Sequence, residues 1–279
     1  MLRFETLAVA LVTAYGFTII VLVVFQSRLQ YFPDRRRSPI AQSGLTGGEE
    51  LVLATSDGES LVAWHFRPRG ERATILYFHG ASGALINRSP RLRMFVERGY
   101  GVLAISYRGY GGSTGRPTQG GLIRDAETAY HAARLRYHRD RLIIMGASLG
   151  TGVAVSLAAN HQAAGLVLLA PFLSAPDIVL TRFPFLPARW LMVDQFRSDL
   201  LISDVKMPLL MIHGERDRVI PIKSGKRLFQ LAKEPKTFLA VPGGGHVVLT
   251  ESVFPRLCDW IDSVVAARSA APQEVPLDE

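Results

Sequence analysis

Cysteine is almost absent from this chain of 279 residues, which has only Cys258. A single cysteine excludes an intramolecular disulfide and any metal cluster that is built on several thiolates. The sequence also lacks a His-Glu-x-x-His motif and a glycine-rich dinucleotide fingerprint after a first strand. We therefore expect neither a metal nor a cofactor.

The chain has no long run of basic residues, although its net charge is +8. Residues 1–48 contain five arginines and two acids, and the remaining positive charge is spread thinly over the rest of the chain. Nucleic-acid binding needs a basic patch or stripe, so we expect no nucleic-acid partner. A basic cluster beside an apolar segment instead favours a membrane surface.

Charged residues are missing from Thr6 to Ser27, a run of 22 residues rich in Leu, Val, Ile, Ala and Phe. As a helix this run is roughly 33 Å long, enough to cross the hydrocarbon core of a bilayer. A cleaved signal peptide is the alternative, but its apolar region is shorter and ends in a small-x-small site. We predict an uncleaved single-pass anchor in residues 1–30. The arginines that follow it favour a cytoplasmic catalytic domain, and a periplasmic or lumenal placement stays open.

Beyond the anchor, the sequence predicts a linker over 31–48, one domain over 49–267 and a disordered tail over 268–279. Short buried strands alternate with helices along the domain, which is typical of an α/β fold with a mostly parallel sheet and helices on both faces. The hairpin that opens the domain predicts an antiparallel N-terminal edge of that sheet.

The sequence Gly146-Ala147-Ser148-Leu149-Gly150 follows an apolar strand and precedes a helix of small residues. This G-x-S-x-G motif in a strand–turn–helix setting is typical of a nucleophile elbow, in which the serine is exposed at a sharp turn. The helix that begins after Ser148 directs its N–H groups and dipole towards developing negative charge. Because glycine-rich strand–helix turns are common, the motif alone does not establish a nucleophile.

Two further strand ends supply a base and a group to orient it. Asp217 follows the apolar strand Leu209–His213, and His246 follows Thr237–Val241 and a run of glycines. A serine nucleophile needs a histidine base that a carboxylate orients, and the order Ser148, Asp217, His246 is that of the α/β-hydrolase triad. We therefore predict these three residues as catalytic.

Four further blocks make a family resemblance visible. They are Tyr31-Phe-Pro-Asp34, Phe78-His-Gly-Ala-Ser-Gly83, Tyr107-Arg-Gly-Tyr-Gly-Gly-Ser113 and His213-Gly-Glu-Arg-Asp217. With the anchor, they resemble the α/β-hydrolase superfamily, in particular its membrane-anchored Bem46/ABHD13-like branch, which is similar to serine aminopeptidase-type hydrolases. The resemblance implies an α/β-hydrolase fold, the triad and an oxyanion hole formed by the backbone N–H groups of Leu149 and Ala81. Relatives usually have asparagine at position 81, but a backbone donor survives the change to alanine.

In this fold, residues 172–205 lie where a short cap is inserted. Phe172, Phe183, Phe185 and Trp190 make the segment apolar, and we expect them to bind the substrate. The alternative is that these side chains simply pack against the sheet.

The sequence thus predicts a serine hydrolase that cleaves a carboxylic ester or thioester, with a lipid or acylated substrate at a membrane. One alternative is a serine aminopeptidase-type peptidase or amidase, and another is a catalytically silent, membrane-tethered binding protein. The sequence indicates no oligomeric state.

Overall fold

The computed structural model describes residues 2–270, with side chains from Phe4 onward. Its strands are β1 (Phe32–Pro33), β2 (Gly48–Ala54), β3 (Ser60–Phe66), β4 (Thr74–Phe78), β5 (Ser82–Gly83), β6 (Gly101–Ile105), β7 (Leu142–Ala147), β8 (Gly165–Leu169), β9 (Leu209–Gly214) and β10 (Lys236–Val241).

The α-helices alternate with these strands over most of the chain. They are α1 (Leu2–Gln30), α2 (Ser89–Glu97), α3 (Gln119–Arg134), α4 (Leu149–Asn160), α5 (Ala175–Arg182), α6 (Ala188–Leu191), α7 (Ser198–Leu201), α8 (Ile222–Leu231) and α9 (Phe254–Ala270).

Eight strands form the central sheet, in the order β10-β9-β8-β7-β4-β6-β3-β2. The pairs from β10 to β6 are parallel, whereas β3 is antiparallel to both β6 and β2. The mostly parallel sheet with an antiparallel N-terminal edge is therefore confirmed. Since β4, β7, β9 and β10 run in the same direction, the residues that follow them meet at one edge of the sheet.

Both faces of the sheet are covered by helices. In β4, Leu76 and Phe78 pack into the core that α3, α4 and α8 cover, while Ile75 and Tyr77 pack into the core beneath α2 and α9. Alternate side chains enter opposite cores, so a strand buried on both faces must be continuously apolar. This is why β4, β7 and β8 are recognisable in the sequence.

The segment predicted as a linker contacts the domain in several places. Phe32 and Pro33 form a parallel two-stranded ladder with Ser82 and Gly83, and the side chain of Tyr31 is buried. The domain boundaries at 31, 49 and 268 stay predictions. Helix α9 continues to Ala270, and residues 271–279 of the predicted disordered tail lie outside the described residues.

Helix α1 is one long apolar helix. Its segment Phe4–Gln30 has a mean hydropathy of 2.6, so by length and composition it can cross a membrane. A signal sequence has the same properties.

Candidate active site

Ser148 lies at the turn between β7 and α4, in a strained conformation with a positive φ of 53° and a ψ of −120°. Such a conformation costs a non-glycine residue roughly 1–3 kcal/mol, so it persists only where its surroundings enforce it. Two glycines make the turn possible. A Cβ on Gly146 would lie 2.2 Å from the Gly150 carbonyl oxygen, and one on Gly150 would lie 2.1 Å from that of Phe78. The spacing in the G-x-S-x-G motif therefore reflects the close approach of β7, α4 and β4.

Ser148, His246 and Asp217 form a hydrogen-bonded chain. The Ser148 Oγ lies 3.0 Å from His246 Nε2, and His246 Nδ1 lies 2.8 Å from Asp217 Oδ2. An ionised Asp217 only accepts, so Nδ1–H donates to it and Nε2 is left to accept the serine proton. The structure thus brings together the three residues that the sequence predicts as catalytic.

Neighbouring strands place the acid and the base. Asp217 follows β9 and His246 follows β10, which pairs with β9 in parallel. A Cβ on Gly214 would lie 2.2 Å from the Gly245 carbonyl oxygen, so a glycine at the end of β9 lets the His246 loop approach.

Asp217 is a buried carboxylate that hydrogen bonds keep charged. Burial alone would raise its pKa, but donors from His213, His246 and the backbone outweigh burial and hold the pKa well below its usual value. The backbone N–H groups of Val219 and Ile220 donate to Oδ1 at 2.8 and 2.9 Å. Oδ2 lies 2.8 Å from His246 Nδ1, which favours one orientation of the imidazole.

His213 lies beside Asp217, a contact that the sequence does not reveal. Its Nε2 lies 2.9 Å from the Ile220 carbonyl oxygen and 3.5 Å from Asp217 Oδ2. The ring is fully buried. Its location at the end of β9, four residues before Asp217, was the only signal of this contact.

The loop after β4 forms the other side of the turn at Ser148. A Cβ on Gly80 would lie 3.3 Å from the Ser148 Cβ, so this loop packs directly against the serine. The Ala81 carbonyl oxygen accepts from the Phe32 N–H at 2.9 Å and from the Tyr110 hydroxyl at 2.8 Å. These two donors fix the position of the loop. Leu149 is the first residue of α4, so its N–H has no acceptor within the helix.

An apolar cavity of about 330 Å³ lies over the serine, within the usual range of roughly 300–1,000 Å³ for small-molecule sites. Ser148, Leu149, Ala81 and Phe172 line it. Other cap residues contribute to the lining as well: Ala175, Ile178, Val179, Leu186, Pro187, Ala188, Leu191 and Met192.

The structure does not bring the other three predicted substrate-binding residues to this cavity. Phe183, Phe185 and Trp190 are 49%, 66% and 85% exposed, and they do not line it. They lie on the outer surface of the cap, while Leu186 and Leu191 from the same segment turn inward. An irregular, proline-broken sequence gives no periodicity from which the inward side chains can be identified.

Helix α1 supplies part of the wall, which the sequence analysis did not predict. Its lining residues are Ile19, Leu22, Val23, Gln26, Leu29 and Gln30. A signal was available, because Gln26 and Gln30 are two long polar side chains on one face of an apolar helix.

No group of three or more His, Cys, Asp or Glu side chains within the described part of the chain is arranged to hold a metal ion.

Comparison with known proteins identifies the family. The model of the serine aminopeptidase S33 family matches residues 69–201. An uncharacterised protein of Mycobacterium tuberculosis is 38% identical, over 79% of this chain and 80% of its own length. The α/β-hydrolase domain-containing protein WAV2 of Arabidopsis thaliana is 30% identical, over 84% of this chain and 87% of its own length. In fold, the chain is similar to the Pyrococcus furiosus esterase Pf2001, with a TM-score of 0.65, 18% identity and coverage of 85% and 97%.

The sheet order, the strand–turn–helix at Ser148 and these relatives together define the class. This chain belongs to the α/β-hydrolase family.

Proposed function

We propose that this chain is a serine hydrolase that cleaves a carboxylic ester or thioester of a lipid or acylated substrate at a membrane. The hydrogen-bonded chain from Ser148 through His246 to Asp217, which begins in an apolar cavity, is the observation that carries the proposal.

In the proposed reaction the Ser148 Oγ attacks the acyl carbon while His246 Nε2 takes the hydroxyl proton. Asp217 stabilises the imidazolium that results. The N–H groups of Leu149 and Ala81 bind the tetrahedral oxyanion, and His246 then gives its proton to the departing alkoxide or thiolate. Water, which His246 deprotonates, attacks the acyl-enzyme and releases the carboxylic acid with free Ser148.

The lining of the cavity favours an acyl chain. Its side chains are aliphatic or aromatic except for Ser148 and two glutamines, so burial of a hydrocarbon chain there is favourable at about 25 cal/mol per Å². The apolar α1 supports a membrane location, which keeps the site close to such substrates.

Peptide cleavage is the second candidate, because the matching family model is that of serine aminopeptidases. An aminopeptidase needs a carboxylate to hold the α-amino group of its substrate. No acidic residue is found among the described residues that line the cavity. Two acids of the cap segment are engaged elsewhere, since Asp177 contacts Arg227 and Asp194 contacts Tyr31. Ester or thioester cleavage is therefore the better-supported reaction.

Ser148→Ala tests the nucleophile in the full chain in detergent, with acyl esters and thioesters from C2 to C16. We expect kcat/KM to fall by at least about 10⁴-fold, because the attacking oxygen is lost while the rest of the site remains. The matched control is Ser156→Ala, which removes a buried hydroxyl that donates to the Gly152 carbonyl oxygen in α4. Wild-type turnover in Ser148→Ala would remove this serine from the mechanism. Absence of turnover in the wild type, with peptides as well, would favour the silent binding protein.

A further inference from the structure

The cavity above Ser148 lies between two parts of the chain, the cap and the C-terminal half of α1. Residues 19, 22, 23, 26, 29 and 30 of α1 line it, at spacings of three and four that place them on one face of the helix. This face extends for roughly 16 Å along the helix, at about 1.5 Å per residue.

Hydrogen bonds hold this face of α1 against the cap. The Gln26 side chain donates to the Leu191 carbonyl oxygen at 3.4 Å and accepts from the Val193 N–H at 2.8 Å. The Gln30 side chain donates to the Asp194 carbonyl oxygen at 3.0 Å, and the Tyr31 hydroxyl donates to the buried Asp194 carboxylate at 2.7 Å. The wall formed by α1 is thus fixed by specific polar contacts as well as by apolar packing.

A further contact shows how far towards the N-terminus of α1 the cap extends. The Tyr15 hydroxyl donates to the Phe185 carbonyl oxygen at 2.8 Å. From Phe4 to Tyr15 the helix is only roughly 16 Å long, about half the thickness of a bilayer's hydrocarbon core. If α1 crosses the bilayer, the outer surface of the cap must therefore lie in one leaflet.

The outer surface of the cap has the composition that such immersion requires. Phe185, Trp190 and Val193 are mostly exposed there, close to the residues that contact α1. Large exposed apolar side chains that cluster on one surface mark contact with a membrane or another apolar surface, and Phe183 and Phe185 on this surface are in ring contact at 6.2 Å.

We propose that the C-terminal half of α1 is one wall of an acyl-chain site, and that its ligand is the hydrocarbon chain of a membrane lipid ester. This inference rests on the proposed hydrolase function and adds the substrate class and the residues that select it. An acylated peptide fits less well, because a peptide backbone at the seam between α1 and the cap would leave its N–H and C=O groups unsatisfied in hydrocarbon. Leu22 and Val23 line the cavity from α1, so a larger side chain at either position should shorten the chain that fits.

Val23→Trp tests the wall in the full chain in detergent. The ratio of kcat/KM for a C16 glycerol ester to that for a C4 ester should fall by about tenfold or more, which corresponds to roughly two lost methylene contacts. Val24→Trp is the matched control, because Val24 is the next residue of the same helix but is 67% exposed and does not line the cavity. It should retain the wild-type ratio. An unchanged ratio in Val23→Trp would overturn the inference while leaving the proposed function intact.

A second experiment does not depend on turnover. Palmitate with a mid-chain diazirine is bound to the Ser148→Ala variant in phosphatidylcholine vesicles and irradiated, and the adducts are mapped by mass spectrometry. We expect adducts on residues 19–30 and 186–192 that excess palmitate suppresses. Adducts at these residues, together with no turnover by the wild type, would support the acyl-chain site and contradict the proposed hydrolase function. Wild-type turnover with adducts elsewhere would contradict the acyl-chain site. Turnover of an S-palmitoyl peptide but not of lipid esters would contradict the proposal that the substrate is a lipid ester.

Discussion

At the scale of single residues, His79 is a buried histidine without a full set of partners. Its Nδ1 lies 2.7 Å from the Gly80 carbonyl oxygen, and its Nε2 has no hydrogen-bond partner within the described structure. The ring packs against Tyr107 and Tyr110 at centroid distances of 4.4 and 5.1 Å. Burial, assisted by the charge of Arg88, lowers the pKa of His79 to about 3. The ring therefore stays neutral in the folded protein at physiological pH.

His79 should make folding sensitive to mild acid. Its pKa is about 3 in the folded state and about 6.5 when unfolded, so its stabilising contribution is complete above pH 6.5 and declines as the pH falls towards 3. Between pH 7.5 and 5 this amounts to about 2 kcal/mol of unfolding free energy. His79→Gln, which cannot be protonated, should reduce the decline by that amount in urea unfolding at the two pH values.

The matched control for this measurement is His131→Gln, which replaces an exposed histidine on α3. It should leave the decline between the two pH values in place. If His79→Gln and the wild type lose the same free energy, folding does not lower the pKa of the His79 ring.

The proximity of Ser148, Asp217 and His246 could be predicted from the sequence because each follows a strand that is itself easy to recognise. Parallel strands bring such residues to one edge of the sheet, so the order along the chain implied proximity at the site. His213 has the same location at a strand end, but its contact with Asp217 depends on a side-chain orientation that no pattern encodes. Tyr110, which fixes the Ala81 loop, lies in a glycine-rich loop whose path cannot be derived from periodicity.

At the scale of elements, the elbow between β7 and α4 is the most tightly constrained junction near the site. Gly150→Ala places a methyl group against the Phe78 backbone, which cannot move aside without shifting β4. We expect a loss of about 3 kcal/mol of unfolding free energy or more, at the upper end of the usual cost of overpacking. Gly120→Ala in α3 is the control. Its methyl group would meet only the end of the Arg124 side chain at 3.9 Å, so a small gain is expected from helix propensity.

Calorimetric melting of the two glycine variants would decide this point. Equal melting temperatures would mean that β4 and α4 separate easily, and the elbow would then not be held by close packing.

Among the elements, β9 and β10 begin and end within one residue of the predicted strands Leu209–His213 and Thr237–Val241, because short apolar runs mark them in the sequence. The pairing of β1 with β5 was not predicted, because a strand of two residues is too short to show an alternating pattern of apolar and polar residues. The short helices α5 to α7 were not recognised either. Residues of α5 and α6 line the cavity, and α7 packs against α4 and α8. Tertiary contacts of these kinds override weak local propensity.

At the scale of the whole molecule, hydrogen bonds of Gln26 and Gln30 join α1 to the cap. The double substitution Gln26→Leu and Gln30→Leu removes the acceptor of the Val193 N–H and the donor to the Asp194 carbonyl oxygen. We expect the Val193 amide to exchange with deuterium about tenfold faster, the effect of losing roughly one hydrogen bond. Thr18→Val on the same helix is the control, because its hydroxyl donates only to the Ala14 carbonyl oxygen. Unchanged exchange at Val193 would show that apolar packing alone holds α1 to the cap.

The contact between α1 and the cap also has a consequence for biosynthesis. Tyr15 and Phe185 are 170 positions apart, so at about 5–20 residues per second the helix leaves the ribosome roughly 10–30 s before its partner in the cap. If α1 is in a membrane during that interval, lipid rather than the cap covers its lining face. His246 is made later still, 98 positions after Ser148. If the proposed function is correct, the nascent chain has only the α1 wall of its acyl site, and neither the cap nor its base, until synthesis is nearly complete. A membrane that holds α1 would not be exposed to hydrolysis before then.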